Sequence, residues 1–297
     1  MMNKKEFLHL KSGTDVRGTA VETAEHGVQL TDETVQKICV GFYKWYCRKE
    51  QVDTFGIAVG QDCRISSPRI AAAAMAAFCA CGCKVFDCGL ATTPSMFMSI
   101  VENEPVQTAL EITASHHPFD RNGLKFFTSG GGLEGEDVSA ILELAYDAGV
   151  PAGTDNAPVE LPFMNDYAAL LRRQIVDGVQ NGDRPLEGLH IVVDAGNGVG
   201  GFYADQVLAP LGADVSGSQF LEPDGMFPNH IPNPENKGAI DAASKMVLDS
   251  SADLGLIFDT DVDRMGCIGA TGQEINRNTL VALAAAIVLE DHPGTTV

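Results

Sequence analysis

The sequence predicts an α/β protein of two domains, each built on a β-sheet with helices covering both faces. Three observations support this prediction. Short apolar stretches with strand character alternate with amphipathic helical stretches along almost the whole chain. The length of 297 residues corresponds to two domains of ordinary size. A segment rich in Gly, Pro and Ala, residues 148–160, separates two such cycles and is the best candidate for a linker.

The first cycle contains two long helices. Thr31 can cap a helix over about 32–49, in which the apolar residues share one face. Residues 66–82 fit a second helix, because Pro68 lies near its first turn and Gly82 follows its end. The other predicted elements of this cycle are strands at 55–60, 84–86, 108–113 and 124–127, and helices at 93–101 and 136–147.

The second cycle follows the linker. It is predicted to contain helices at about 164–177, 200–209 and 238–248, and strands at 189–193 and 254–258. The residues from Asn276 onward predict a helix, a turn at 292–294 and a strand that ends at Val297. Because such a unit leaves a strand edge unpaired, we expect the sequence to be cut inside a third domain.

The composition excludes several classes of protein. Asp and Glu total 40 against 20 Lys and Arg, which gives a formal charge of −20 and excludes a general nucleic-acid binder. The longest nearly apolar stretch, residues 70–81, is shorter than the roughly 20 residues that span a bilayer. The first residues lack the apolar segment of a secretory signal, so we expect a cytoplasmic protein without a membrane partner.

Four of the eight cysteines lie close together in the sequence and raise the question of a zinc site. Cys79, Cys81, Cys83 and Cys88 have a spacing that matches structural zinc sites poorly. We therefore predict buried free thiols at a helix end, where cysteine packs as a small apolar side chain.

A polar loop follows the strand at 108–113. The sequence T-A-S-H-H-P-F-D-R-N-G-L-K (113–125) brings Ser115, His116 and Lys125 near the carboxyl end of this strand, where α/β proteins bind ligands. A serine in this position can act as a nucleophile if a base or a metal lies beside it. The alternative is an ordinary polar loop.

Three alternating carboxylates follow the strand at 254–258. Asp259, Asp261 and Asp263 repel one another unless a cation neutralises them, and oxygen ligands of this kind suit a hard divalent cation. Arg264 would supply a guanidinium fork for phosphate beside such a site. An EF-hand is excluded by Arg264 and Ala270 at two of its defining positions, and a solvated acidic turn remains the alternative.

Two glycine-containing segments are further candidates. The loop G-T-D-V-R-G (13–18) places Arg17 between glycines. The loop D-A-G-N-G-V-G-G (194–201) follows a strand and resembles a phosphate cradle at a helix N-terminus, although its sequence is not that of a nucleotide P-loop. The simpler interpretation is that these glycines allow the backbone to turn.

Together these motifs resemble those of the α-D-phosphohexomutase family (phosphoglucomutase/phosphomannomutase). Residues 113–118 resemble its phosphoserine loop, 13–18 its N-terminal motif, 122–125 its lysine segment and 259–264 its metal loop. Residues 222–234, E-P-D-G-M-F-P-N-H-I-P-N-P, resemble another family signature. His117 stands where the family usually has Asn, and Thr260 stands where it usually has Gly.

The resemblance implies tandem three-layer α/β/α domains with mixed sheets. It implies a phosphoserine domain at 1–155, a metal domain at 156–270 and the start of a truncated third domain at 271–297. The family's sugar-recognition loop and phosphate-binding loop, which belong to its third and fourth domains, have no counterpart in this sequence.

The resemblance also implies a reaction, the reversible transfer of a phosphoryl group between the 1- and 6-positions of a hexose phosphate. Glucose and mannose are the implied sugars, and a hexose 1,6-bisphosphate is the implied intermediate and activator. Ser115 would carry the phosphoryl group, and its phosphoserine oxygen would join Asp259, Asp261 and Asp263 in holding Mg²⁺. The groups implied around the transferring phosphoryl are His116, Lys125, Arg17 and Arg264. Lys125 would serve as a general base if nearby cations lowered its pKa.

Three other functions remain open from the residues alone. The first is a truncated fragment that binds metal or sugar phosphate without turnover. The second is a phosphoglucosamine mutase, whose substrate is an amino sugar. The third is a haloacid-dehalogenase-like phosphatase, in which Asp259 of the stretch L-I-F-D-T-D-V would be the nucleophile.

Overall fold

The computed structural model describes residues 2–150 and 152–296, and the larger of its two sheets has eight strands. The strands are β1 (Lys11–Ser12), β2 (Asp15–Thr19), β3 (Gly56–Gln61), β4 (Lys84–Leu90), β5 (Thr108–Ile112), β6 (Arg121–Thr128), β7 (Gly131–Gly132) and β8 (Val159–Glu160). Their order across the sheet is β1-β2-β6-β5-β3-β4-β8, with β7 paired to β6. The central pairs β5-β3 and β3-β4 are parallel and β2-β6 and β6-β5 are antiparallel, so the sheet is mixed.

Helices cover both faces of this sheet. The helices in this part of the chain are α1 (Lys4–Leu8), α2 (Asp32–Glu50), α3 (Ser67–Ala80), α4 (Thr93–Glu102), α5 (Gly135–Tyr146) and α6 (Phe163–Val179). Alternate side chains of β3 point to opposite faces: Ile57 and Val59 join the core under α2, α3 and α5, whereas Ala58 joins the core under α4 and α6. The result is the three-layer α/β/α arrangement that the sequence predicts.

The second sheet is smaller and is also mixed. It consists of β9 (Ile191–Asp194), β10 (Leu254–Phe258) and β11 (Met265–Gly269) in the order β11-β10-β9, and β10 is parallel to β9 but antiparallel to β11. Helix α7 (Lys237–Ser250) packs on one face, against Val192. The opposite face, with Val193, packs against residues 199–208.

Helix α6 lies between the two sheets and contacts both units. Phe163 and Tyr167 pack into the core beneath α4, and Ala168 packs against Val207 and Leu211. The described residues of the predicted linker are irregular up to Ala157–Pro158, and β8 then adds to the edge of the first sheet beside β4.

The structure corrects three sequence predictions. Residues 15–19 are strand β2 rather than a loop, because their backbone pairs with β6 and β1. The α-helix predicted at 200–209 is a short 3₁₀ turn at 199–201 followed by a π-helical segment at 203–208. At its end the Ala209 amide donates to the Ala204 carbonyl, five residues back. The strand predicted after residue 294 is absent at 295–296, and Val297 lies outside the described residues.

Helix α8 (Arg277–Asp291) ends the described structure and exposes apolar side chains such as Val281, Leu283 and Ile287. Throughout the described ranges, we find no helix with the length and apolar character needed to cross a membrane. All eight cysteines are free thiols. Of the four that cluster in the sequence, Cys79, Cys83 and Cys88 are buried, as predicted, whereas Cys81 is only partly buried.

Candidate active site

The Ser115 loop connects β5 to β6 and holds its serine in an unusual backbone conformation. Ser115 has a φ of 52°, in the left-handed region that few non-glycine residues adopt. Its amide donates to Oγ1 of Thr113 over 2.8 Å, and the side chain is almost completely buried. A strained, buried serine at the end of a strand is typical of a functional site.

The Ser115 hydroxyl meets groups that are distant in the sequence. Its Oγ donates to Oδ2 of Asp259 over 2.9 Å, and Nη2 of Arg264 donates to the same Oγ. Nδ1 of His116 lies 3.3 Å from Oγ. The structure therefore brings together four of the residues that the sequence analysis selected.

The acidic residues form a compact cluster in the turn between β10 and β11. Asp259, Asp261 and Asp263 each offer a carboxylate oxygen, and these three atoms lie within 4.8 Å of one another. Asp259 and Asp261 are fully buried, and Oδ1 of Asp261 has no hydrogen-bond partner among the described residues. Burial, together with the charges of Asp261 and Asp263, raises the pKa of Asp259 to about 9, and burial and the charge of Asp263 also raise the pKa of Asp261. A bound cation would relieve this repulsion.

Lys125 lies against this cluster and is held as a cation. Its Nζ donates to Oδ2 of Asp263 over 2.9 Å. Although burial opposes the charge, Asp263 and Asp15 raise the pKa of Lys125. In the metal-free chain, the carboxylates around this ammonium group raise its pKa, which is opposite to the lowered pKa that a general base requires.

His116 is held neutral with Nδ1 as an acceptor. Burial and then the charge of Arg264 lower the pKa of His116. Nη2 of Arg264 lies 2.6 Å from His116 Nδ1, and since a guanidinium only donates, Nδ1 accepts. Arg264 thus bridges the histidine and the Ser115 hydroxyl.

The side chain of Arg17 contacts the main chain of the serine loop. Its Nη1 donates to the carbonyl of Ala114 over 3.0 Å, and its Nη2 forms an ion pair with Asp15 at 2.8 Å. Its Nε has no partner among the described residues. Arg17 therefore lies beside Ser115 without touching its hydroxyl.

Two residues at this site were missed from the sequence. Thr93, at the start of α4, donates from Oγ1 to Oδ2 of Asp261 over 2.7 Å and from its amide to the Asp261 carbonyl over 2.9 Å. Arg64 is completely buried behind the Ser115 loop. Both follow the carboxyl end of a parallel strand, which is the signal that selected Ser115 and could have selected these two.

The glycine-rich loop at 194–201 packs against the turn that carries the acidic cluster instead of cradling a phosphate. The amides of residues 196–199 all donate to acceptors within the protein. A Cβ on Gly198 would lie 2.8 Å from both Cα and O of Thr260. The glycine therefore allows close backbone approach, which agrees with the simpler interpretation of this loop.

The two departures from the family motifs fit the site in different ways. Thr260 is fully buried, and its Oγ1 has no partner among the described residues. The ring of His117 stacks on His116 with centroids 5.1 Å apart, and burial lowers the pKa of His117 to about 4.

Glu111 is a buried carboxyl beside the site that destabilises the fold at neutral pH. Neither of its oxygens has a hydrogen-bond partner among the described residues. Burial, then the charges of Asp62 and Asp261, raise the pKa of Glu111 well above its ordinary 4.5. The folded chain thus retains a proton that the unfolded chain releases above pH 4.5, so this group lowers stability as the pH rises.

We therefore expect Glu111→Met to raise the free energy of unfolding at pH 8 by about 1–2 kcal/mol. The gain should shrink towards pH 4.5, where the unfolded chain is already half protonated. Urea unfolding at the two pH values measures this, with the exposed Glu104→Met as the control. A variant less stable than the parent at pH 8 would contradict the assignment.

Comparison with known proteins agrees with this geometry. Residues 10–149 match the family model described as phosphoglucomutase/phosphomannomutase, alpha/beta/alpha domain I, and residues 166–272 match domain II. The phosphoglucomutase of Neisseria gonorrhoeae is 33% identical over 241 residues, and the phosphomannomutase/phosphoglucomutase of Pseudomonas aeruginosa is 32% identical over 243. Each alignment covers 81% of this chain and 50% of the relative.

The chain thus spans about half the length of the curated relatives it matches. A phosphoglucosamine mutase of Kineococcus radiotolerans is also similar, at 32% identity over 237 residues, which is 76% of this chain and 50% of that protein. Among solved structures, a phosphoglucomutase/phosphomannomutase family protein from Burkholderia thailandensis superposes with a TM-score of 0.80 at 26% identity, covering 99% of this chain and 61% of that one.

Proposed function

The chain belongs to the phosphoglucomutase/phosphomannomutase family, and from that premise we propose that it transfers a phosphoryl group through Ser115 between the 1- and 6-positions of a hexose phosphate. Glucose and mannose are the proposed sugars, since similar proteins carry both names. The observation that supports this most directly is the contact of 2.9 Å between Oγ of Ser115 and Oδ2 of Asp259. It joins the proposed phosphoryl carrier to the acidic cluster.

The proposed transfer balances in both directions. When Ser115 is loaded, the P–O bond of a hexose 1,6-bisphosphate breaks and a bond from phosphorus to Oγ forms. The Oγ proton leaves towards one of its two neighbours, Oδ2 of Asp259 or Nδ1 of His116, and ends on the sugar oxygen that lost the phosphoryl group. The return transfer reverses these bonds at the other end of the sugar.

The acidic cluster fits a divalent cation such as Mg²⁺. Asp259, Asp261 and Asp263 would hold it together with a phosphoserine oxygen of Ser115, since their oxygens converge within 4.8 Å and one of them lacks a partner. When bound, the cation would neutralise charge on the phosphoryl group.

The cationic side chains complete the charge balance around the phosphoryl group. Arg264 already donates to Oγ and would keep a donor on the phosphoryl oxygens. Lys125 and Arg17 supply further positive charge from the neighbouring strands β6 and β2. Phosphoryl transfer depends mainly on such positioning and electrostatic stabilisation.

Residues 1–155 would form the phosphoserine domain and 156–270 the metal domain, with α6 packed against both. The eight free thiols fit a reducing compartment, and we place the protein in the cytoplasm on that ground.

Mass spectrometry of the purified chain tests the carrier step. The chain is incubated with Mg²⁺ and glucose 1,6-bisphosphate, and the mass increase is mapped by peptide. We expect one phosphoryl group on Ser115, its absence in Ser115→Ala, and its presence in the control Ser12→Ala, which changes an exposed serine.

The other outcomes favour the alternatives. Phosphate on Asp259 would favour the haloacid-dehalogenase-like reaction, although both family matches argue against it. Faster loading from glucosamine 1,6-bisphosphate would favour a phosphoglucosamine mutase, as the name of one relative suggests. Absence of phosphate on any residue would favour a chain that binds metal or sugar phosphate without turnover.

A further inference from the structure

Arg64 is a fully buried arginine directly behind the Ser115 loop. It follows β3, outside the segments that resemble family motifs, and none of its side chain is exposed. Burying a guanidinium is unfavourable unless its charge is paired and its donors are satisfied. Asp62 provides the pairing charge, with Oδ2 3.0 Å from Nε of Arg64. Oδ1 of Asp62 accepts from the Arg64 amide and from the Ser67 hydroxyl, which fixes this carboxylate in turn.

The remaining donors of Arg64 are all directed at one loop. Its two terminal nitrogens donate to four main-chain carbonyls within seven residues of the chain. Nη2 binds the carbonyls of Ser115 and His117 (2.7 Å for the latter), and Nη1 binds those of Pro118 (2.6 Å) and Arg121 (3.1 Å). One side chain therefore sets the orientation of much of the loop that carries the proposed phosphoserine.

This orientation has a consequence for the site, because C=O and N–H point in opposite directions across a trans peptide. There is no cis peptide bond in the described chain. With the Ser115 carbonyl on Arg64, the His116 amide N–H points away from Arg64, and it has no acceptor among the described residues. The Arg64 contact with the Ser115 carbonyl and the Thr113 contact with the Ser115 amide together hold both peptide groups that flank Ser115, whose φ is 52° and whose Oγ meets Asp259 and Arg264.

Arg64 is also located against the second unit, which carries the acidic cluster. The ring centroid of Phe227 lies 5.2 Å from its guanidinium carbon. The backbone at Gly225 also lies close to the segment around Arg64: a Cβ on Gly225 would lie 2.5 Å from the Cys63 carbonyl and 2.8 Å from Cα of Arg64. The segment that orients the serine loop is thereby packed against residues of the metal-bearing unit.

We propose that Arg64 is a positioning residue for phosphoryl transfer: by binding the carbonyls of the Ser115 loop, it places the Ser115 hydroxyl at Asp259 and leaves the His116 amide free for a phosphoryl oxygen. This rests on the proposed function of Ser115. Arg64 touches the loop backbone and not the reacting atoms. Its effect is on the rate of the transfer step and on the order of the loop.

The conservative variant Arg64→Lys tests this role. A lysine keeps the charge but concentrates its donors at one atom, so it cannot reach all four carbonyls. We expect the rate constant for Ser115 phosphorylation at saturating glucose 1,6-bisphosphate to fall about 10- to 100-fold per folded molecule, with little change in the half-saturating concentration. Hydrogen exchange of the peptide containing residues 113–122 should become faster. A purely structural arginine would lower the unfolding temperature without changing this rate constant.

Arg69→Lys is the matched control. Arg69 also pairs with an aspartate, Asp32, and donates to the carbonyls of Ala20 and Leu30, but it donates to no carbonyl of residues 113–122. It should leave both the rate constant and the exchange of residues 113–122 unchanged. If Arg64→Lys does not fold, Asp62→Asn is used in its place. This variant weakens the ion pair that orients Arg64, and asparagine keeps the shape of the aspartate side chain.

The outcomes separate this inference from the proposed function. A parent chain phosphorylated on Ser115 and a folded Arg64→Lys with the same rate constant would overturn the positioning role alone. A parent chain that is never phosphorylated would count against the proposed function. The exchange measurement then decides the role of Arg64, and unchanged exchange at 113–122 in both the Arg64 and Asp62 variants would overturn it.

Discussion

Asp261→Asn is expected to remove Mg²⁺-dependent phosphorylation of Ser115 and to make the metal-free chain more stable. Asp261 is fully buried between two other carboxylates, and burial and the charge of Asp263 raise its pKa. In the absence of a cation, the neutral amide removes this repulsion, and its oxygen can still accept from Thr93. In the presence of Mg²⁺, the loss of one anionic ligand should cost several kcal/mol of transition-state stabilisation, or at least about a hundredfold in rate.

Thermal unfolding with and without Mg²⁺ measures the stability effect, and the phosphoryl transfer rate is followed by mass spectrometry. The parent chain should gain about 2.7 kcal/mol at a Mg²⁺ concentration 100 times the dissociation constant, whereas the variant should gain much less. Asp249→Asn is the control, since Asp249 lies on the exposed face of α7 and pairs with Lys245. A variant that is stabilised by Mg²⁺ as much as the parent would show that Asp261 is not a ligand.

Gly198→Ala is expected to disrupt the turn that carries the acidic cluster without removing any of its charged groups. The new Cβ would lie 2.8 Å from Cα and O of Thr260, distances that force the backbone of one of the two loops to move. Thr260 and the neighbouring Asp259 and Asp261 are fully buried, so a shift of this turn moves groups in the protein interior. We expect a loss of about 3 kcal/mol in the free energy of unfolding. We also expect about a hundredfold loss in the rate of Ser115 phosphorylation, because the carboxylates are displaced from Oγ.

Urea unfolding and the phosphorylation rate measure the two effects. Gly178→Ala is the matched control, because a Cβ at this helical position in α6 meets no atom within 4 Å. It should preserve the rate and leave stability equal or slightly higher, since alanine favours a helix. If Gly198→Ala matches Gly178→Ala in stability and rate, close packing of the two loops is not required.

Much of the candidate site could be predicted because one rule of α/β folds is visible in a sequence. Ser115 follows the strand at 108–112 and Asp259 follows the strand at 254–258, so each could be assigned to the carboxyl edge of a sheet. The motifs around them added the expected roles. This rule does not predict that the edges of two different sheets face each other. In the structure they do, and Oγ of Ser115 lies 2.9 Å from Oδ2 of Asp259.

The errors in the fold also have physical causes. Residues 15–19 have glycine neighbours typical of a loop, but hydrogen bonds to β1 and β6 make them a strand. Residues 200–209 have a helical composition, but close packing of Gly200 against Phe258 and of Gly201 against the Leu221 carbonyl accompanies a change in their hydrogen-bond pattern. In both cases contacts with distant residues override the local preference.

The sequence by itself determined the α/β class, the alternation of helices and strands, and the residues able to take part in the reaction, because periodicity and motif spacing are local properties. Only the tertiary structure decided the pKa shifts of these residues and the groups that they contact. Asp263 raises the pKa of Lys125 against the effect of burial, and four loop carbonyls converge on Arg64. The pKa of a buried group and the orientation of a loop depend on charges and acceptors contributed by segments up to about half the chain away, and no local pattern encodes those distances.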